Sequence, residues 1–251
     1  MIKLDAATVL LQWSTGGLLF LWITGRHRMV SPGYGWLLRS IYLVMAGAGA
    51  AIGGRVDSVP VRDLASALVV IAAAVALVVS VQRRRDATYP PHLDLIAPTI
   101  GLVGLIAAGV HAGDPVLLSV FRTLVGAAFL GSVSDAMLLG HWYLVQPGLA
   151  RGPLLEMVRW VGIVWPFEVA AMLWPTGMIS VINGSIDDGY AGLLGWFWVA
   201  CAITTIVLVV VTRAALKERA YSAVMAATGL LYLAILTAFG TDLVARAVLA
   251  R

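Results

Sequence analysis

Apolar residues in this chain run without interruption for about twenty positions, stop at a short turn rich in glycine, proline or charge, and then resume. Crossing a hydrocarbon core about 30 Å thick takes roughly 20 apolar residues in a helix. The template fits eight times, over about 6–25, 36–54, 64–81, 93–110, 117–145, 154–174, 193–211 and 221–240. The segments lack the alternation of a barrel wall, so strands are not expected. The predicted fold is all-α: one domain over 1–251, a polytopic bundle of eight transmembrane helices joined by short loops.

Charge in the connections orients the bundle. If the N-terminus is outside, the inner connections and their flanks hold Arg26, Arg28, Arg39, Arg83, Arg84, Arg85, Arg151, Arg159, Arg213, Lys217 and Arg219. The other side holds Lys3, Arg55, Arg62, Arg122, Arg246 and Arg251, with acids that include Asp114, Asp187 and Asp188. Eleven cations against six place both termini on the outer side, and an odd number of spans would spoil the alternation.

Composition agrees: 61% of residues are hydrophobic, 12% are charged, and the mean hydropathy is +0.93. That is more apolar matter than one soluble core requires. The net charge of +4 is spread over short loops rather than gathered on one face, which speaks against nucleic acid and for anionic lipid headgroups. The single Cys201 excludes an internal disulfide, a Cys-based zinc site and a cysteine-ligated iron–sulfur cluster. The N-terminal run lacks a small-residue cleavage pattern and reads as a retained first span. Asn183-Gly184-Ser185 matches a glycosylation acceptor, a pattern too short to carry weight.

Gly49 and Gly53, Gly104 and Ala108, and Ala127 and Gly131 follow small-xxx-small spacing and predict contact faces, within the chain or between chains. Pro98 and Pro166 fall inside predicted spans, where each removes a backbone donor and tends to kink the helix. Arg122 with Asp114, and Asp242 with Arg246 at i,i+4 spacing, read as local ion pairs or snorkelling groups.

The candidate chemistry lies in the fifth and sixth spans, where lipid makes ionisable residues expensive and marks them as functional. Counted from the turn between these spans, Asp135 lies about 15 Å deep, Glu168 about 21 Å, and His141 and Arg159 about 6–8 Å. The expectation is a proton-relay or ligand pocket of Asp135, His141, Arg159 and Glu168 between the two helices. The bland alternative has each carboxylate satisfied by a serine such as Ser132 or Ser134, or by an arginine of another span. His141, Trp142, Tyr143 and Trp165 are candidate quinone or pigment contacts, against the reading of Trp142 and Tyr143 as interfacial belt aromatics. An imidazole can ligate haem b or chlorophyll, hydrogen-bond a quinone or relay a proton. A bis-histidine haem would need His27 or His92 to meet His141.

Catalytic fingerprints such as HExxH, GxSxG, a phosphate loop or a dinucleotide motif are absent, and no metal centre is expected. In span count alone the chain resembles the membrane anchors of quinone-linked oxidoreductases, an analogy that fixes no residue. The functional expectation is an integral subunit of a larger membrane complex engaged in electron or proton transfer, without catalytic activity of its own. A secondary transporter or channel using the same carboxylates is the alternative. The expected partners are other membrane subunits and lipids, and the expected setting is a prokaryotic plasma membrane.

Overall fold

The computed structural model describes residues 4–83, 89–175 and 177–250, so Lys3, Arg84, Arg85, Thr176 and Arg251 lie outside the described residues. Among those described, every regular element is helical. They are α1 (Ala6–Gly25), α2 (Pro32–Gly53), α3 (Pro60–Gln82), a 3-10 turn (Pro91–Leu95) leading into α4 (Ile96–His111), α5 (Val116–Val145), α6 (Gly152–Leu173), a short α7 (Met178–Ile182), α8 (Leu193–Ala215) and α9 (Tyr221–Leu249). Seven helices are long and apolar enough to cross a membrane: α1, α2, α3, α4 with its leading turn, α5, α8 and α9. α6 has the length, 22 residues, but carries Glu156, Arg159 and Glu168. The chain is a multi-pass helical membrane protein by this pattern, and its outer surface agrees: Leu64, Leu68, Ile71, Val75 and Val78 form an exposed apolar stripe along α3.

Where the boundaries differ from the apolar runs, local chemistry explains the shift. α2, α3 and α6 begin earlier than expected because Pro32, Pro60 and Pro153 occupy the first turn, where a missing N–H leaves no ladder bond unmade. Pro98 stands in the first turn of α4, after the 3-10 turn, so it is a helix starter and not an interior kink. α6 runs through Pro166 as one helix. α9 continues to Leu249 past Gly240, which brings Asp242 and Arg246 into the bundle.

α5 joins two groups of helices. On one side α1 packs against α2, α4 and α5; on the other, α5, α6, α8 and α9 close a four-helix ring. The approach of α1 to α5 is a backbone contact: a Cβ on Gly131 would lie 2.2 Å from the Gly16 carbonyl carbon, and one on Gly16 would lie 1.8 Å from the Ala127 oxygen. All three small-residue pairs face helices of this chain, since Gly104 meets Ala65 and Leu11, and Gly49 meets Ala7 and Leu10.

Ion pairs and loop ligands fasten the two ends. At the end holding the N-terminus, buried Arg62 binds Asp5, the first-turn acid Asp63 at 2.9 Å and the Asp57 carbonyl at 2.5 Å. At the opposite end Arg26 bridges to Glu156, and Arg151 donates to the carbonyls of Leu216, Arg219 and Ala220, tying the α5–α6 turn to the α8–α9 turn. Before α8, Asp188 accepts from the backbone N–H groups of Tyr190, Gly192, Leu194 and Gly195. Burial works to raise the Asp188 carboxyl, but these donors outweigh it and hold it below the usual carboxylate range.

Two outcomes are expected. Gly131→Leu separates α1 from α5 and lowers stability by about 1–3 kcal/mol or more, read as a lower thermal midpoint in detergent. A carboxylate depressed on folding contributes stability above its unfolded pKa and loses it as pH falls through the folded one. Asp188→Asn therefore lowers the midpoint at pH 7, and the gap to the natural protein closes below about pH 4 in a pH-resolved melting series.

Candidate functional site

Asp135 is wholly buried midway along α5. Its Oδ1 accepts from the Tyr42 hydroxyl of α2, and the Tyr34 hydroxyl, about two turns earlier on α2, donates to the Asp135 backbone carbonyl at 3.3 Å. Tyr42 reaches across because α1 carries glycine there: a Cβ on Gly17 would sit 2.0 Å from the phenol ring. Oδ2 of Asp135 has no hydrogen-bond partner among the described residues. The serines do not supply one, since Ser132 donates to the Phe129 carbonyl and Ser134 accepts from Trp13.

Glu168 is also wholly buried, in a second group at the end of the bundle that holds the N-terminus. Its electrostatic neighbours are Asp242 and Arg246 of α9 and Arg122 of α5. Arg246 grips Asp242 with its Nε at 2.9 and 2.8 Å, and Arg122 donates to the Ala171 carbonyl at 2.8 Å. Gln12 of α1 completes the group, donating to the Thr123 carbonyl at 2.6 Å. Both Glu168 oxygens, Gln12 Oε1 and one Arg122 nitrogen have no hydrogen-bond partner among the described residues. Glu168 thus lies beside a second carboxyl, Asp242, and two guanidiniums, Arg246 and Arg122. A cavity of about 10 Å³, room for one water, lies beside Arg246 between Thr8, Arg62 and Thr123.

The sequence-derived candidates thus fall into separate places. Asp135 looks toward α2 and Glu168 toward α9, so the two do not share the single α5–α6 pocket expected of them. α5 is packed on both flanks and can bury polar residues in two directions. His141 is exposed and pairs with Tyr232 of α9 through Nδ1 at 3.1 Å; Arg159 is exposed on α6. Trp142 donates to Ser31 and Gln146, Tyr143 to the Ala150 carbonyl and Trp165 to the Ala202 carbonyl, which anchors three different contacts. His27, His92 and His111 are exposed like His141. Among the described residues no three His, Cys, Asp or Glu side chains are grouped to hold a metal ion.

A third polar centre, not anticipated as a site, lies where α2, α3 and the 3-10 turn meet. Arg39 forms a two-bond pair with Asp94 at 2.8 and 2.7 Å, stacks on the Tyr89 ring at 4.7 Å and donates to Ser80 at 3.3 Å. Burial and the neighbouring Asp94 carboxylate push the Tyr89 hydroxyl above the ordinary phenol range, so it stays a donor to Asp94. This centre forms one wall of a cavity of about 280 Å³ that Tyr34 also lines.

The Glu168 group is ionic, so removing one cation strands its carboxylates. Arg246→Gln should lower stability by about 3–5 kcal/mol, whereas Glu168→Gln should be tolerated far better, as compared by thermal unfolding in detergent. Comparison with known protein families, with characterised proteins and with solved structures finds no match to this chain.

Proposed function

We propose that the chain is an eight-span integral protein of a prokaryotic plasma membrane, with both termini outside, that passes protons within a larger complex engaged in electron or proton transfer. The eighth span is α6: its 22 residues extend about 33 Å, enough for the hydrocarbon core. Its charges have places to go, since Glu168 faces the bundle and Glu156 pairs with Arg26.

One observation carries the proton reading: Asp135 is sealed from solvent with one oxygen held by a phenol and the other unpartnered. A carboxyl so placed is a group that can take up and release a proton, because Oδ2 is open to carry it while Oδ1 keeps the Tyr42 bond. Tyr34 lies between it and the 280 Å³ cavity, which gives a route from one end of the bundle. Asp242, the neighbour of Glu168, sits beside Gly126, nine residues from Asp135 and about 14 Å along α5. The two carboxyl centres therefore lie at different depths beside one helix, which supports reading them as successive stations of a relay. A membrane quinone is the proposed electron partner, with the exposed His141–Tyr232 pair as its donor at the bundle surface.

The same arrangement favours a second reading, a proton-coupled transporter with the cavity as its entry. Extraction in mild detergent followed by reconstitution separates the two. Under the first reading the chain co-purifies with other subunits, and Asp135→Asn lowers proton movement by the complex by at least about ten-fold, or about 1.4 kcal/mol, without loss of assembly. Flux driven by the isolated chain alone would select the transporter. Unaltered proton movement in both Asp135→Asn and Glu168→Gln would overturn the relay.

A further inference from the structure

Helices α6 and α8 run side by side in opposite directions, and their outward seam carries charge that nothing else in the protein uses. Gly162 of α6 faces Val209 of α8, with the valine Cγ1 3.5 Å from where a glycine Cβ would stand, and Trp165 donates to the Ala202 carbonyl at 3.0 Å. From the Gly162–Val209 contact toward the end closed by Arg151, Arg159 lies three residues along α6 and Arg213 four along α8, about 4.5 and 6 Å. At about 100° per residue, Arg159 is turned about 60° from the contact and Arg213 about 40°. Because the helices are antiparallel, both turns lead to the same side of the seam. Lys217 follows one turn beyond Arg213, just past the end of α8.

All three cations are exposed, and among the described residues none has a hydrogen-bond or ion-pair partner for its side chain. The nearest acids in sequence are Glu156, which is committed to Arg26, and Glu218, which lies in the α8–α9 turn, so positive charge stays in excess. Toward the middle of the bundle the same side of the seam is apolar and uncovered, with Ile163 of α6 and Ile203 and Val210 of α8 exposed. Arg159 in the second turn of α6 and Arg213 in the last turn of α8 stand where long cationic side chains leave hydrocarbon for the headgroup layer. A phospholipid presents phosphate and then hydrocarbon in that order and at that depth, and basic sites between spanning helices are where anionic headgroups bind. We infer that this end of the α6–α8 seam binds an anionic phospholipid, its phosphate between Arg159 and Arg213 with Lys217 beside it, and one acyl chain along Ile163, Val210 and Ile203. The inference rests on the multi-pass membrane placement and not on proton transfer, so a binding measurement tests it separately from proton movement.

The test is native mass spectrometry of the full chain in a neutral maltoside detergent, titrated with palmitoyl-oleoyl phosphatidylglycerol or phosphatidylcholine. One molecule of phosphatidylglycerol should bind at least about ten-fold more tightly than phosphatidylcholine, and excess inorganic phosphate should not displace it. Arg159→Gln/Arg213→Gln should weaken it by about ten-fold, and Arg159→Lys/Arg213→Lys should keep most of the preference for the anionic lipid. Arg55→Gln/Arg83→Gln removes two exposed cations elsewhere and should leave binding unchanged. All these side chains are exposed, so the lipid-free melting midpoints should match, and binding is compared between folded proteins. Equal binding of the two lipids, displacement by inorganic phosphate, or equal loss in the Arg55/Arg83 control would each overturn the assignment. Self-association that Arg159→Gln/Arg213→Gln abolishes would give the seam to a second copy of the chain and overturn it as well.

Discussion

The polar interior of this protein depends on how closely α1 approaches α5. At Gly16 and Gly131 the two backbones touch, and no side chain fits between them. With the helices so near, α1 becomes the most enclosed of the spanning segments and its small residues become windows through which neighbours meet. Gly17, the next residue, lets the Tyr42 ring of α2 pass over α1 to reach Asp135. One turn earlier on α1, Gln12 comes down beside Gly126 and the Asp242–Arg246 pair. A single van der Waals contact thus sets the geometry of both carboxyl centres, which is how packing substitutes for hydrophobic drive where the surroundings are as apolar as the interior.

The helices were legible in the sequence because each is a continuous apolar run, and a bilayer imposes a minimum length that few other structures need. The small-residue faces were legible for a similar reason, since close backbone approach leaves a repeat of four in the chain. Asp135 and Glu168 stood out by depth alone. Their partners did not: no pattern singled out Tyr34 or Tyr42, and Asp242 and Arg246 lay past the expected end of the last span, where they passed for a local pair. Which way a residue faces depends on the rotation of its helix against neighbours distant in sequence, and an apolar run with polar residues on no single face carries little information about that rotation.

The dense stretch from His141 to Tyr143 illustrates the same limit. Consecutive residues on a helix point about 100° apart, so neighbours in sequence are dealt to different surroundings. His141 goes to α9, Trp142 to the start of α2 and Tyr143 to the following turn. Density along the chain suggested one site where the helix makes three contacts. The Arg39–Asp94 centre is the converse, assembled from residues 55 positions apart, with Tyr89 and Ser80 contributed by the flanking segments.

The buried charges of this protein differ in how completely they are partnered. Arg62 is buried, yet its nitrogens are spent on Asp5, Asp63, Thr8 and the Asp57 carbonyl. Arg39 is buried, and its carboxylate partner, ring and hydroxyl are all in place. Such sets hold the ends of helices together, and nothing is left over for another occupant. Asp135 keeps an oxygen without a partner, Glu168 keeps two, and Gln12 and Arg122 each keep one polar atom idle within the Glu168 group. Hydroxyls on the same helices are spent on backbone carbonyls instead, as those of Thr123, Ser132 and Thr228 are. Unmade hydrogen bonds in an apolar interior are costly, and they persist where something else is meant to make them. For a carboxyl flanked by phenols, and for another flanked by a second carboxyl and two guanidiniums, the proposed relay makes that agent a proton.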